Sequence, residues 1–244
     1  TDPDPDRDPD PDPDPDPRPK RYAGDHFDKL AAAAAAHPEK VFLGTEATYE
    51  LTRLRDPTAS HQEWVRHGVW ARGEGYAHAI IGDLLAGSSG WIDWNVLLDN
   101  TGGPNHLNNT CDAPMIADDA FERVYLHPQY YALGHFSKFV PRGSRRVWLD
   151  GAAPAGSAAR GPSSGVYNLS GAVEYGVCPP GPLKAVALKR PDERIVVVVL
   201  NCDGLAKTVR LEVGGASSQA VQLTIPPHAI HTYVLKPHQS RRRS

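Results

Sequence analysis

A single carboxylate ends the apolar segment Lys40-Val-Phe-Leu-Gly-Thr-Glu46-Ala. An apolar run of about four to eight residues is typical of a buried parallel strand, and barrel enzymes place catalytic groups at the carboxyl ends of such strands. Glu46 is therefore a candidate catalytic carboxylate. The alternative is that Glu46 caps a helix or lies in a solvated loop.

Two tryptophans follow in the short segment Trp91-Ile-Asp-Trp-Asn95. An indole ring can line a ligand pocket, although core packing would explain either tryptophan. Alternation along a strand places Asp93 on the opposite side from Trp94, so one tryptophan of the pair faces inward and the other packs outward. We favour Trp94 as the residue that faces a pocket.

The elements around these residues predict a parallel α/β unit. Helix-forming residues occupy 25–37, and apolar residues recur along one face of a long helix over 62–85. Between and after them the pattern predicts strands at 41–44 and 91–95, a loop over 99–118, and a helix over 128–139. Strand and helix alternate, as in parallel α/β folds.

The second half of the chain has a different pattern. After Pro141 the sequence breaks into short runs rich in β-branched residues, separated by turn residues, which is typical of an antiparallel sandwich. The predicted strands are 146–150, 183–189, 195–201, 208–213, 220–225 and 230–235. A stretch rich in Gly, Ala, Ser and Pro, about 151–182, is expected to be a loop insertion.

Composition excludes several functional classes. The net charge is −3 with scattered Lys and Arg, so the sequence indicates no nucleic-acid partner. Cys111, Cys178 and Cys202 are widely spaced and odd in number, so they predict neither a disulfide framework nor a metal site.

The chain begins with an Asp-Pro repeat over residues 1–20, which lacks apolar side chains and is expected to be disordered. The predicted organisation is then a partial barrel domain over 21–141, a sandwich domain over 142–237 and a basic tail over 238–244. Since the sequence does not begin with Met, the absence of a signal peptide says little about its destination.

Several unusual strings occur in order along the chain. They are Gly90-Trp-Ile-Asp-Trp-Asn95, Gly102-Gly-Pro-Asn105, Tyr131-Ala-Leu-Gly-His-Phe-Ser-Lys-Phe139-Val-Pro141, Ile195-Val-Val-Val-Val-Leu-Asn201 and Ile230-His-Thr-Tyr233. Together they resemble glycoside hydrolase family 30, of the glucosylceramidase type. The string at residues 22–27 resembles the tract before the nucleophile strand in microbial members of that family.

The resemblance implies the last part of a (β/α)8 barrel, about strands seven and eight, followed by an antiparallel β-sandwich. It further implies a retaining hydrolase that cleaves the β-glucosidic bond of glucosylceramide or a related β-glucoside. Glu46 matches the nucleophile, Trp94 an aromatic residue of the glucose site, Asn109 a position close to the sugar, and Tyr22 a tyrosine near the nucleophile. Carboxylate chemistry of this kind needs no metal or organic cofactor.

The sequence also departs from the family pattern. The acid/base glutamate of the family has no counterpart in this chain, Arg21 occupies a place usually held by Trp, and His106 replaces an aromatic residue. A barrel cannot close from two strands, so we expect the isolated chain to be inactive.

Two hypotheses follow from the sequence. One is the C-terminal part of a glucosylceramidase-like hydrolase, and the other is a non-catalytic carbohydrate-binding or interaction module built on the sandwich. The intact nucleophile segment favours the first. The resemblance alone implies a lysosomal or secreted location, a glycolipid substrate and action at a membrane surface, and it leaves any activator protein unidentified.

Overall fold

The computed structural model describes residues 27–49, 61–104, 111–118, 120, 122–149, 178–213 and 219–236. The Asp-Pro repeat, the basic tail and nearly all of the predicted loop insertion lie outside these residues.

The first half of the chain contains four helices and five short strands within the described residues. A parallel pair of strands connects the regions of the two candidate site residues, with Leu43 opposite Gly90 and Gly44 opposite Trp91. This pairing confirms the predicted parallel α/β unit. The elements are α1 Phe27–Ala36, β1 Leu43–Gly44, α2 His61–His67, α3 Trp70–Ala86, β2 Gly90–Trp91, β3 Leu97–Leu98, β4 Met115–Ala117, β5 Val124–Leu126 and α4 Pro128–Ser137.

The prediction of one long helix over 62–85 is wrong, because α2 and α3 are separate helices. Gly68 lies between them with φ of 64°, a conformation that favours glycine. A Cβ on Gly68 would lie 2.7 Å from Pro128 Cδ and 2.8 Å from His127 Cγ. The chain therefore turns where α2 and α3 meet the beginning of α4, and only glycine fits that space.

The region predicted as a loop over 99–118 contains a strand. β4 pairs in parallel with β3 and antiparallel with β5 in a three-stranded sheet. These strands are two or three residues long, too short for a periodic pattern to reveal them. The predicted strand over 91–95 is also shorter than expected, since β2 ends at Trp91.

The second half forms the predicted antiparallel sandwich. Its larger sheet has the order β11-β8-β7-β6, and β9 pairs with β10 in a two-stranded sheet. The strands match the predicted ones to within a few residues at their ends. They are β6 Arg145–Val147, β7 Lys184–Lys189, β8 Ile195–Asn201, β9 Lys207–Val213, β10 Gln219–Ile225 and β11 Ala229–Leu235.

The larger sheet is covered on both faces, which explains the continuous apolar sequence of β8. Val197 and Val199 pack towards the β9–β10 hairpin, together with Ile225. Val196 and Val198 lie on the other face and pack into the core that includes α3 and α4. A strand buried on both faces carries no polar alternation. The barrel part and the sandwich thus share a core.

Polar contacts also join the barrel part to the sandwich. His228 Nδ1 lies 3.1 Å from Glu74 Oε1, and the Trp70 indole donates to the His228 carbonyl at 3.0 Å. Glu74 is only 8% exposed. Burial raises the pKa of Glu74 despite its contact with His228.

Cys178 and Cys202 form a disulfide, which the cysteine count did not predict. It connects the segment before β7 to the residue that follows β8. Cys111 is a buried free thiol. Three cysteines at wide spacings give no indication of which two will meet, because their distance in space depends on the sandwich topology.

Candidate active site

The carboxyl ends of β1 and β2 lie side by side, and main-chain hydrogen bonds continue beyond both strands. Ile92 donates to the Gly44 carbonyl at 2.8 Å, and Trp94 donates to the Ala47 carbonyl at 2.8 Å. Because the strands are parallel, the residues that follow each of them emerge at the same edge. This edge carries Glu46 on one chain segment and Trp94 on the other.

Glu46 and Trp94 are both accessible at this edge. Trp94 is 42% exposed, and Glu46 also belongs to the exposed residues. Trp91 instead packs against the core and contacts the Tyr76 ring edge-on, with centroids 5.1 Å apart. The two tryptophans therefore lie in different environments, although β2 itself ends at Trp91. The substrate role of Trp94 stays a prediction.

Tyr76, on α3, contacts the segment that follows β1 and the segment that follows β2. Its ring stacks on Tyr49 with centroids 5.4 Å apart and an interplanar angle of 23°. Its hydroxyl donates to Asp93 Oδ1 at 2.8 Å. Tyr49 lies three residues after Glu46, and Asp93 lies immediately before Trp94. One buried side chain thus touches a neighbour of each candidate residue.

Asp93 is partly buried and accepts two hydrogen bonds at Oδ1, from Tyr76 and from the amide of Trp94 at 3.0 Å. Its Oδ2 atom is buried and has no hydrogen-bond partner among the described residues. Burial raises the pKa of Asp93 to about 7, against the opposing effect of the hydrogen bonds from Tyr76 and Trp94. The carboxyl is therefore half protonated near neutral pH.

A buried polar cluster lies on the other side of Tyr49. Asp112 receives hydrogen bonds from Arg72 and, at 2.7 Å, from Gln129 Nε2, while His127 Nδ1 lies 3.0 Å from Asp112 Oδ1. All four side chains are at most 2% exposed. Burial opposes ionisation of Asp112, but the hydrogen bond from His127 and the charge of Arg72 outweigh it and lower the pKa. Asp112 is thus an ionised anchor.

Asp112 anchors the segment that carries Glu46. Its amide donates to the Tyr49 carbonyl at 2.7 Å, and the Thr48 hydroxyl lies 3.4 Å from the Asp112 carbonyl. Arg72 also lies over the Tyr49 ring, 5.9 Å from its centroid. The segment after β1 is therefore held from the α3 side by a charged group and an aromatic ring.

The structure describes two of the four predicted site residues. Glu46 and Trp94 come together at one edge, while Asn109 and Tyr22 lie outside the described residues. No group of three or more His, Cys, Asp or Glu side chains in the described ranges could hold a metal ion. No described helix has the length and apolarity that crossing a bilayer requires.

Sequence reasoning did not find the supporting residues Asp93, Tyr76, Asp112 and Arg72. A signal for two of them exists in the sequence. Arg72 precedes Gly73, where a Cβ would lie 2.7 Å from Pro128 Cβ, so the glycine marks a close approach of α4 to this end of α3. A buried tyrosine also needs a hydrogen-bond partner, and Tyr76 finds one in Asp93.

Comparison with known proteins identifies two matching domains. Residues 20–140 match the Glycosyl hydrolase family 30 TIM-barrel domain, and residues 172–233 match the beta sandwich domain of the same family. Mouse (Mus musculus) lysosomal acid glucosylceramidase is 36% identical over 173 residues. That alignment covers 71% of this chain and 28% of the mouse protein, so the chain spans less than a third of its relative.

Solved structures show the same fold. The SrfJ protein of Salmonella typhimurium superposes with a TM-score of 0.63 at 28% identity, covering 89% of this chain and 40% of that one. An endo-beta1,6-glucanase superposes with a TM-score of 0.58 at 18% identity, covering 88% of this chain and 39% of the glucanase. The second match supports the fold alone. Together these matches confirm a partial TIM barrel joined to a β-sandwich.

Proposed function

Because the chain belongs to glycosyl hydrolase family 30, we propose that it carries the nucleophile half of a retaining β-glucosidase site of the glucosylceramidase type. The observation that carries this proposal is the edge formed by β1 and β2. There the Trp94 amide and the Ala47 carbonyl, 2.8 Å apart, join the segment of Glu46 to that of Trp94.

Glu46 has the chemical role of nucleophile in this proposal. Its carboxylate attacks the anomeric carbon and forms a glycosyl ester, while the aglycone leaves with a proton from a second carboxylic acid. Water then cleaves the ester and yields the sugar with retained configuration. Trp94 offers an exposed indole face to the apolar side of the glucose ring.

The second carboxylic acid lies outside the described residues. Asp93 is engaged by Tyr76 of α3, below the site, and Asp112 is ion-paired with Arg72 in the protein interior. Both carboxyls are engaged by partners within the chain, so we assign neither of them as the acid. The matched stretch is 28% of the mouse relative, which supports the proposal that the acid belongs to a part of the barrel outside that stretch.

The remaining sequence assignments complete the proposed site. Asn109 would hydrogen-bond the sugar, and Tyr22 would orient the Glu46 carboxylate, as the resemblance implies. The division into a barrel domain ending at 141 and a sandwich domain over 142–237 is likewise part of the proposal.

Two observations support a proposal for the compartment. The mouse relative is named as lysosomal, and this chain has a disulfide between Cys178 and Cys202. Disulfides form in oxidising compartments and are rare in the cytosol. We therefore propose a lysosomal or secreted protein that acts on glucosylceramide or a related β-glucoside.

A chimera tests the role of Glu46. Residues 39–49 of this chain would replace the matching segment of the mouse relative, and turnover of a fluorogenic β-glucoside would be measured. We expect an active chimera that loses activity with Glu46→Gln and keeps it with Glu39→Gln. Glu39 is a matched control because its exposed carboxylate contacts only His37 and Lys40 among the described residues.

The isolated chain provides the complementary measurement. We expect no turnover from the chain or from its Glu46→Gln variant, because one carboxylate cannot supply both the nucleophile and the acid. Robust turnover by the chain that is lost with Glu46→Gln would show that the acid lies within these 244 residues. A chimera that keeps its activity with Glu46→Gln would favour the non-catalytic alternative.

A further inference from the structure

Asp93 and Tyr76 contact neighbours of the two candidate site residues, but neither of them was predicted to belong to the site. Asp93 Oδ1 accepts hydrogen bonds from the Tyr76 hydroxyl at 2.8 Å and from the Trp94 amide at 3.0 Å. The same amide also donates to the Ala47 carbonyl. The Trp94 amide is thus shared between two acceptors, the Asp93 carboxyl and the Ala47 carbonyl.

Tyr76, which donates to Asp93, is buried and packed between aromatic rings. It is 3% exposed, stacks on Tyr49 and contacts the edge of Trp91. A buried hydroxyl in such a position needs an acceptor, and Asp93 Oδ1 is the acceptor here. Removal of the Asp93 carboxyl would leave the Tyr76 hydroxyl without this partner and the Trp94 amide with only Ala47.

We propose that Asp93, supported by Tyr76, is a positioning residue that fixes the orientation and solvent exposure of Trp94 at the sugar-facing edge. The relevance of this position to catalysis rests on the proposed function. The linkage itself does not, because it is defined by hydrogen bonds within the chain. Asp93 acts through Trp94 and is not assigned any contact with substrate.

If Asp93 positions Trp94, the ionisation of Asp93 should change the solvent exposure of Trp94, which can be measured. The ionisable groups that face it are Tyr76 from α3 and Asp112 from the segment before β4. Burial and the negative charge of Asp112 raise the pKa to about 7, while the hydrogen bond from Tyr76 lowers it. Above that pH a buried carboxylate with an unpaired Oδ2 attracts water, so Trp94 should become more accessible.

The test measures acrylamide quenching of Trp94 fluorescence across pH, using the isolated chain. The Trp94 signal is the difference between each protein and the same protein with Trp94→Phe. The variants are Asp93→Asn, which keeps the acceptor without the charge, Asp93→Ala, which removes both, and Tyr76→Phe. Ser88→Ala is the control, because Ser88 joins the same two chain segments at their other end, through the Phe42 and Gly90 carbonyls.

In the wild-type chain, quenching of Trp94 should rise with pH, with a midpoint near 7. Asp93→Asn should remain weakly quenched at all pH values, and Asp93→Ala strongly quenched at all of them. Tyr76→Phe should move the midpoint upward, because a bond that lowers the pKa of Asp93 is lost. Ser88→Ala should keep the wild-type profile. Circular dichroism verifies that each variant is folded.

Two results would overturn the proposal. One is quenching of Trp94 that does not change with pH in the wild-type chain. The other is equal quenching in the wild-type chain and the folded Asp93→Ala variant. Because no step requires turnover, failure of this test is distinguishable from failure of the assignment of Glu46. If Asp93→Ala does not fold, the quenching midpoint of Tyr76→Phe decides. An upward shift supports the proposal, and an unchanged or lower midpoint contradicts it.

Discussion

The Ala47 carbonyl and the Trp94 amide are joined by a main-chain hydrogen bond of 2.8 Å. Ala47 directly follows Glu46, and Trp94 is the residue proposed to contact the sugar. The bond therefore fixes the spacing of the segments that carry Glu46 and Trp94. Since only backbone atoms take part, side-chain substitutions at Glu46 leave it in place. Loss of function at Glu46 can therefore be separated from loss of structure.

Substitution of Glu46 should abolish chemistry without weakening the fold. Glu46 is exposed, and exposed positions without special contacts change the free energy of unfolding by about 0.5 kcal/mol or less. In the chimera we expect Glu46→Gln to lower kcat by about four to six orders of magnitude, the scale observed when a catalytic nucleophile is removed. Denaturant titration and steady-state kinetics of the same preparation measure both effects. A variant that unfolds at much lower denaturant would place Glu46 in a structural role.

Removal of Asp112 should destabilise the chain strongly. Asp112→Ala leaves the Arg72 charge buried without its carboxylate, a situation that costs about 3–5 kcal/mol. The matched control is Asp192→Ala, which removes an exposed carboxylate that also pairs with arginines. We expect that control to cost much less, because solvent screens an exposed ion pair. Equal destabilisation in the two variants, measured with urea, would contradict the anchoring role of Asp112.

The sequence predicted the sandwich well because each of its long strands carries its own signal. The strand Ile195–Asn201 begins with five consecutive β-branched residues, and the structure gives it the predicted limits. The short strands β3, β4 and β5 lack such a signal, because two or three residues have no detectable period. They form because tertiary packing of neighbouring segments brings them together.

In the candidate site, too, some residues could be predicted from the sequence and others could not. Glu46 and Trp94 each follow a short apolar or aromatic segment, so local pattern and family resemblance were sufficient to nominate them. The contacts of Tyr76 with Asp93 and of Asp112 with Gln129 each join residues 17 positions apart, which no local pattern encodes. The break between α2 and α3 was missed for the same reason, since Gly68 is required by the approach of His127.

Asp93 should make the chain more stable in mild acid than at neutral pH. Its pKa rises from an ordinary value of 3.8 to about 7 on folding, so the folded chain binds the proton more tightly. That contribution is fully present below about pH 4 and is lost as pH rises towards 7. The difference in free energy of unfolding between the wild-type chain and Asp93→Asn, measured from pH 4.5 to 8, isolates it from other groups. A difference that stays constant over this range would contradict the raised pKa.

The disulfide should stabilise the sandwich. Cys178 and Cys202 are 24 positions apart, and closure of a loop of that size stabilises by about 3 kcal/mol in the chain-entropy model. Cys178→Ser with Cys202→Ser should lower the free energy of unfolding by about that amount, while Cys111→Ser leaves the bond intact. Alkylation of the unreduced, unfolded wild-type chain should label Cys111 alone. Three labelled cysteines would show that the bond does not form.

The site of covalent glycosylation tests the assignment of Glu46 most directly. The chimera would be incubated with a 2-deoxy-2-fluoro-β-glucoside that carries an activated leaving group, so that the glycosyl ester accumulates, and the modified peptide would be mapped by mass spectrometry. We predict one fluoroglucosyl group on Glu46, present in the Glu39→Gln chimera and absent from the Glu46→Gln chimera. A label on any other residue, or an active chimera that labels equally with Glu46→Gln, would contradict the identification of Glu46 as the nucleophile.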